Sequence, residues 1–306
     1  MKVSVNNLFD SPCLIVNPHS NQGKALQSLE AILPELKANW PNIRVFHTKT
    51  IGHATQITRE QIVAGASVIL VMGGDGTLNE VVNALGENSK VPLGILPSGS
   101  GNDTAKSFSW SEDIKGQVRR LMNAQVKMVD LGLVISKTQK RYFLNVASCG
   151  ISAVIAKNMR EQERKTGAPL WYYLQTLKAI WSYRPTQIRV NIDGKNIQHP
   201  DCSLLAFANG QYFGGGMQIA PGARMDDGRF DEIAVSKMGL GFFLRHGLSV
   251  YRGKHLDLPQ VYKMRGQVAL VESLSKQPVY VEADGEDAGE LPARFEIFSR
   301  CLPVLI

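Results

Sequence analysis

The chain has 306 residues, enough for two domains at the usual ~100–200 residues each, and its 44% apolar and 20% charged residues exclude a disordered or fibrous protein. A net charge of +7 fits an anionic partner such as a phospholipid surface, a nucleotide or a nucleic acid, and equally an ordinary solvated surface. No apolar run reaches the ~18 residues that span a bilayer, no basic-then-apolar leader opens the chain, and Cys13, Cys149, Cys202 and Cys301 lie too far apart for a zinc site or disulfide scaffold. A cytoplasmic protein with reduced core cysteines is expected.

Ser11 to Lys24, Ser-Pro-Cys-Leu-Ile-Val-Asn-Pro-His-Ser-Asn-Gln-Gly-Lys, predicts a short buried strand breaking into a polar loop, followed by a helix over Ala25–Ala38. Asn17, Ser20 and Lys24 offer an amide, a hydroxyl and a cation where the loop meets the helix, groups suited to nucleotide phosphates. Ile43–Thr48 reads as a second strand with Thr48 at its carboxyl end, and Gly52-His53-Ala54 leads into a helix through Ala64. His53, with no partner at metal or triad spacing, is a helix-start residue.

Ser67 to Asn83 carries the strongest signal. Ser67–Met72 is nearly all apolar and half β-branched, the pattern of a strand buried on both faces of a parallel sheet. Gly73, Gly74 and Gly76 follow, and then Leu78, Val81, Val82 and Leu85 recur at helical spacing behind Thr77 as N-cap. Strand, glycine turn and helix N-terminus together favour an anion. Asp75 is the odd residue, since a carboxylate repels phosphate. Either a metal ion lies between them, as in a phosphoryl-transfer site, or Asp75 merely suits an unusual backbone angle. Leu93–Leu96 is a fourth strand, and Pro97-Ser-Gly-Ser-Gly-Asn-Asp103 is a second glycine loop that would lie beside the first at the ligand-binding edge of an open α/β sheet. Asn102 and Asp103 either orient a substrate hydroxyl or cap the next helix. Val126–Gly132 ends a further strand on Asp130.

From Val134 the texture changes. Tyr142–Ala147, Thr186–Asp193, Ser203–Ala208, Phe230–Val235 and Val268–Glu272 read as successive strands, with a polar hairpin loop at Ser136–Arg141 and a hairpin turn at Asp193-Gly194. An antiparallel β-sandwich is expected. One helical interruption, Pro169–Tyr183, carries Leu170, Leu174, Leu177 and Trp181 on a stripe widened by Trp171, Tyr172 and Tyr173, behind Lys157, Arg160, Arg164 and Lys165. Such a stripe either packs on the sandwich or rests on an anionic bilayer. Near the end, Val281-Glu-Ala-Asp-Gly-Glu286 sets Asp284 and Glu286 on one turn, where neighbouring carboxylates make one of them a base able to deprotonate an alcohol.

Gly73-Gly74-Asp75-Gly76-Thr77 resembles the nucleotide loop shared by soluble lipid kinases, NAD kinases and, more distantly, phosphofructokinases. Pro97–Asp103 resembles the Pro-x-Gly-Thr-x-Asn-Asp loop of diacylglycerol and ceramide kinases, with Ser100 in place of Thr, and separates these from NAD kinases. Asn17–Gly23 resembles the family's Asn-Pro-x-Ser-Gly, with Asn21 where that glycine is expected. Ala208–Phe230, Ala-Asn-Gly through Gly-Gly-Gly and Ala-Pro to Asp-Gly-Arg-Phe, resembles bacterial lipid kinases over more than twenty positions.

The resemblance to the soluble diacylglycerol kinase family implies an α/β nucleotide-binding domain over 1–134, phosphofructokinase- and NAD kinase-like with a parallel sheet, to which a strand at 300–306 returns. A mainly antiparallel β-sandwich over 135–299 follows, with the active site in the cleft between them. It implies ATP on Asn17, Ser20, Lys24, Thr48, Gly73, Gly74, Asp75, Gly76, Thr77, Leu78, Asn79, Glu80, Ser100 and Asn102. Mg²⁺ is implied at the Asp227 side chain and the Arg224 and Arg229 carbonyls, with Asp130 in an Asp–water–Mg²⁺ network. Glu286 ranks first as catalytic base, with Asp284 as its partner and Asp75 third. The implied activity is transfer of the ATP γ-phosphate to a lipid hydroxyl by a cytoplasmic enzyme meeting an anionic membrane peripherally, without nucleic acid, and with a homodimer left open. The rivals are an NAD kinase and a catalytically silent nucleotide- or lipid-binding regulator.

Overall fold

The computed structural model describes residues 9–110, 113–162 and 177–306. Met1–Leu131 with Phe298–Ile306 forms one compact unit, and Gly132–Ile297 forms another.

In the first unit four parallel strands, β1 (Pro12–Val16), β2 (Arg44–His47), β3 (Val68–Gly73) and β4 (Leu93–Pro97), lie in the order β2, β1, β3, β4. β1 and β3 are buried along their whole length, which is why they read as continuous apolar runs and not as alternating ones. They are linked by α1 (Lys24–Asn39), α2 (His53–Val63) and α3 (Asp75–Leu85). Leu29, Ile32 and Leu36 of α1 recur at helical spacing and pack with Val118 and Leu121 of α5 (Ile114–Met122) on the strands. At the far edge Val304, near the end of β15 (Ala293–Leu305), runs parallel beside Leu93.

This strand order creates a switch point. From β1 the chain moves to β2 on one side, and β3 then lies on β1's other side and continues to β4. The loops leaving β1 and β3 diverge at their carboxyl ends, the place where open α/β sheets hold ligands.

The second unit is built from antiparallel strands. A path runs from β14 (Glu286–Glu290) through β13 (Tyr280–Ala283), β7 (Val146–Gly150), β9 (Lys195–Ala208), β8 (Thr186–Ile192) and β12 (Val268–Ser273) to the start of β15. β10 (Phe230–Ser236) pairs with β9 and with β11 (Val261–Gly266), and the latter half of β5 (Val126–Ile135) pairs with β6 (Lys140–Phe143). Phe207 centres the core, stacked on Phe295 at 4.1 Å and edge-on to Phe230 at 5.1 Å. The Asp193-Gly194 turn has both φ angles positive, 48° and 86°, as a tight hairpin requires. All four cysteines are free, and burial pushes the Cys13 and Cys202 thiols up to about 12.

Three local expectations need correction. α3 starts at Asp75 with Gly74 as N-cap, so Thr77 lies inside its first turn. The run Tyr142–Ala147 is two strands, parted at Leu144-Asn145, whose amides serve another partner described below. In the helical stretch over 177–182, Ala179 and Ile180 are buried while Trp181 is 74% exposed, so the packing stripe is turned away from Trp181. The rest of that stripe, Leu170 to Leu174, lies outside the described residues, as do Arg164 and Lys165. Helix α6 (Ile151–Gln162) and a helix at Leu240–His246 also interrupt the strands. Among the described residues no helix is long and apolar enough to cross a membrane.

Candidate active site

The first unit gathers three loops at its switch point. Asn17 donates its backbone N–H to the Met72 carbonyl and its side-chain amide to Thr77 Oγ1, both at 2.9 Å, clamping the β1 loop onto the β3 loop. Beyond a buried Ser20 the chain makes three left-handed residues, Asn21, Gln22 and Gly23 at φ 50°, 57° and 86°. Asn21 thus adopts the positive φ for which the family pattern has glycine, and Lys24 follows exposed at the head of α1.

The two glycine loops touch backbone to backbone. A Cβ built on Gly99 would lie 2.5 Å from the Gly74 Cα, and Ser98 donates its N–H to the Gly73 carbonyl at 2.9 Å. Only residues without side chains allow this approach. Asn102, at φ 51°, braces Gly99 from both sides, accepting its N–H at 2.9 Å and donating to its carbonyl at 3.0 Å. Ser100 is exposed at the tip. Gly73, Gly74, Asp75, Pro97 and Asn102 line a recess there. The recess lies at the N-terminus of α3, where helix N–H groups favour an anion.

The Asp75 carboxylate bridges the two loops. Its Oδ2 accepts the N–H of Asp103 at 3.1 Å and its Oδ1 that of Thr104 at 3.2 Å, so it caps α4 (Asp103–Ser107) from the other loop. The carboxylate that looked repulsive is balanced by these amides. Asp103 itself, expected as a cap, is buried and paired with Lys106 at 3.2 Å. Glu80 is likewise engaged, its two oxygens accepting the N–H groups of Gly52 at 2.8 Å and Ala54 at 2.9 Å at the start of α2. Leu78 and Asn79 are buried within α3, Asn79 accepting from Asn83, and Gly76 lies in the first turn. Thr48 is buried, its N–H on the Val16 carbonyl. Of the nucleotide set, Leu78 lines the recess from within α3, whereas Glu80 ties α3 to the start of α2.

In the second unit Asp284 and Gly285, at φ 50° and 84°, form the two-residue turn between β13 and β14. The Asp284 carboxylate accepts three backbone N–H groups, from Leu144 at 2.7 Å and from Asn145 and Val146 at 3.0 Å. Those are the amides that part β6 from β7. Asn145 in turn accepts the N–H groups of Asn209 at 2.9 Å and Gly210 at 2.7 Å, and Asn209 donates its side chain to the Leu144 carbonyl at 2.7 Å. Three motifs far apart in sequence, Asn145, Ala208-Asn-Gly and Asp284-Gly-Glu, thus share one junction. Asp284 positions that junction, and Glu286, two residues on, opens β14 and is partly exposed. The buried Glu282 was passed over in the sequence, yet one of its oxygens takes the Gly285 N–H at 2.7 Å and the other the Ser148 hydroxyl.

The side chains of Asp130, Arg224 and Asp227, residues expected around Mg²⁺, are engaged with other protein groups. Asp227 bonds the Arg229 N–H at 3.1 Å and is ion-paired with Arg265, whose guanidinium also lies 3.3 Å from Asp231. One guanidinium is thus shared by two carboxylates. Arg224 turns its side chain to Asp226 at 3.2 Å. Asp130 is fully buried and accepts the Arg300 N–H at 2.7 Å, bracing β15 within the first unit. Among the described residues no group of three or more His, Cys, Asp or Glu could hold a metal ion.

Residues 11–134 match the family model of the diacylglycerol kinase catalytic domain, and residues 145–306 match that of the YegS C-terminal NAD kinase beta sandwich-like domain. The diacylglycerol kinase of Bacillus subtilis (strain 168) is 29% identical over 296 residues, covering 96% of this chain and 95% of that one. A solved diacylglycerol kinase structure from Bacillus anthracis str. Sterne shares the fold with a TM-score of 0.74 at 24% identity over 97% of both chains. An NAD kinase from Archaeoglobus fulgidus, solved in complex with ATP, covers 96% of this chain and 92% of its own with a TM-score of 0.51 at 13% identity, a likeness of fold alone. With one matched model on the glycine loops and the other on the Asp284 junction, the chain belongs to the diacylglycerol kinase family and is a lipid kinase.

Proposed function

We propose that the enzyme transfers the γ-phosphate of ATP to the hydroxyl of a diacylglycerol-like lipid. The observation that supports this reading is the backbone contact of Gly74 with Gly99 at the head of α3, in a chain of lipid kinase descent. The triphosphate lies on the loops Asn17–Lys24, Gly73–Thr77 and Ser98–Asn102, with α3 amides and Lys24 opposing its charge. Mg²⁺ enters with the nucleotide as part of the substrate. No protein ligand for it is assigned.

Glu286 is the base. It takes the proton of the lipid hydroxyl as that oxygen bonds to the γ-phosphorus, the bond to the β–γ bridging oxygen breaks, and ADP leaves. Asp284 and Glu282 act through Glu286 by fixing its turn. Because such transfer rests on positioning and charge balance, a small displacement of the turn is costly. Labelled γ-phosphate offered with a panel of lipid alcohols in mixed micelles, beside a tube holding NAD, tests the reading. A labelled diacylglycerol-like lipid supports it; label in NADP alone, or nowhere, refutes it.

A further inference from the structure

Residues 240–254 of the second unit form a helical ridge with two unlike faces. The Leu240–His246 helix runs directly into a 3-10 turn over Gly247–Arg252, ended by Gly253 at φ 66°. Phe242, Phe243 and Val250 pack inward on a core shared with Ile180, Ala206 and Ile233, which fixes the ridge's rotation. Leu244, Leu248 and Tyr251, spaced by four and then three residues, are left outward and 62%, 81% and 50% exposed. A single exposed leucine needs no explanation, but an aligned row of large apolar side chains does.

The surrounding charge selects what covers it. Arg245, Arg252 and Lys254 are exposed in the same stretch, and among the described residues no ion pair engages them. Asp257 is the only acidic residue between Met238 and Lys263. A second copy of this +7 chain, meeting the ridge through a two-fold contact, would set these cations against their own kind. An anionic bilayer satisfies both features, since the apolar row enters the headgroup boundary while the long cationic side chains reach the lipid phosphates.

We propose that the Leu244–Lys254 ridge docks the second unit on an anionic phospholipid surface. The biological purpose rests on the lipid kinase reading; the physical contact is testable without it. The full chain is sedimented with vesicles of phosphatidylcholine alone and of phosphatidylcholine with phosphatidylglycerol. Wild type binds the second kind, more weakly as salt rises. The pair Leu244→Ser with Leu248→Ser lowers that binding by at least about tenfold, and Arg245→Gln with Arg252→Gln by about 25-fold, each cation contributing about fivefold. Trp181→Ser, which alters an exposed aromatic outside residues 240–254, binds as wild type. All variants melt with wild type and phosphorylate a short-chain diacylglycerol in detergent micelles at its rate.

Vesicle binding unchanged in both paired variants, binding lost only in Trp181→Ser, or wild type that ignores both vesicle types overturns the proposal. So does a concentration-dependent dimer that the leucine pair abolishes while vesicle binding persists. If wild type phosphorylates no lipid in micelles yet shows the expected vesicle pattern, the catalytic reading falls and the docking surface stands.

Discussion

The glycine loops of the first unit and the Asp284 junction of the second solve the same problem by opposite means. Each brings segments far apart in sequence into fixed register. The glycine loops do it by omission, since Gly74 and Gly99 meet because neither carries a Cβ. The Asp284 junction does it by addition, one carboxylate gathering three amides across the break between β6 and β7. An approach made by omission fails sterically when anything is added, whereas a junction made by a charged acceptor fails when the acceptor is removed. Glu286 is placed by the second of these, directly after the Asp284-Gly285 turn.

That contrast orders the expected effects. Glu286→Gln should cost about 10²–10⁴-fold in transfer rate, the usual worth of a general base, with the melting temperature of wild type; calorimetry beside a label-transfer assay separates the two. Asp284→Ala should lose activity and also on the order of 3 kcal/mol of stability, because three amides lose a charged acceptor, measurable as a lowered urea midpoint. An Asp284 variant as stable as wild type would erase the distinction between base and brace. Gly99→Ala should cost about 1–3 kcal/mol by forcing the loops apart and abolish ATP binding by titration calorimetry, while leaving the second unit's contacts intact.

The smallest effect concerns Asp227. Arg265 is 44% exposed, so removing it by Arg265→Gln should change stability by about 1 kcal/mol or less. Wild-type melting should be indifferent to Mg²⁺ or a chelator in the absence of nucleotide, because the guanidinium already pairs with the carboxylate. A clear upward shift of wild-type melting with Mg²⁺ would restore a metal there.

The elements of the first unit were legible because burial on both faces writes itself as unbroken apolar runs, as at Leu14–Val16 and Val68–Met72, and because glycines mark the turns that need them. The second unit was less legible. Leu144-Asn145 reads as the middle of a strand, and nothing local says that its amides belong to a carboxylate 140 residues away. Glu282 alternates with Val281 and Ala283 and so reads as solvent-facing, although its neighbours bury it. The acidic candidates Asp75, Asp130, Asp227 and Asp284 were found by motif. Motif could not show that each accepts backbone N–H groups or an arginine, since those partners come from other segments. For the same reason the exposed row Leu244, Leu248 and Tyr251 was invisible until the opposite face was seen to pack.

The most direct test is phosphate transfer itself, measured in one set of diacylglycerol micelles with labelled ATP for wild type and for folded Glu286→Gln. The account predicts labelled phospholipid from wild type and a loss of about 10²–10⁴-fold in the variant at unchanged melting temperature. Equal label from both proteins would contradict the assignment of Glu286, and label from neither would contradict the transfer of phosphate from ATP to this lipid.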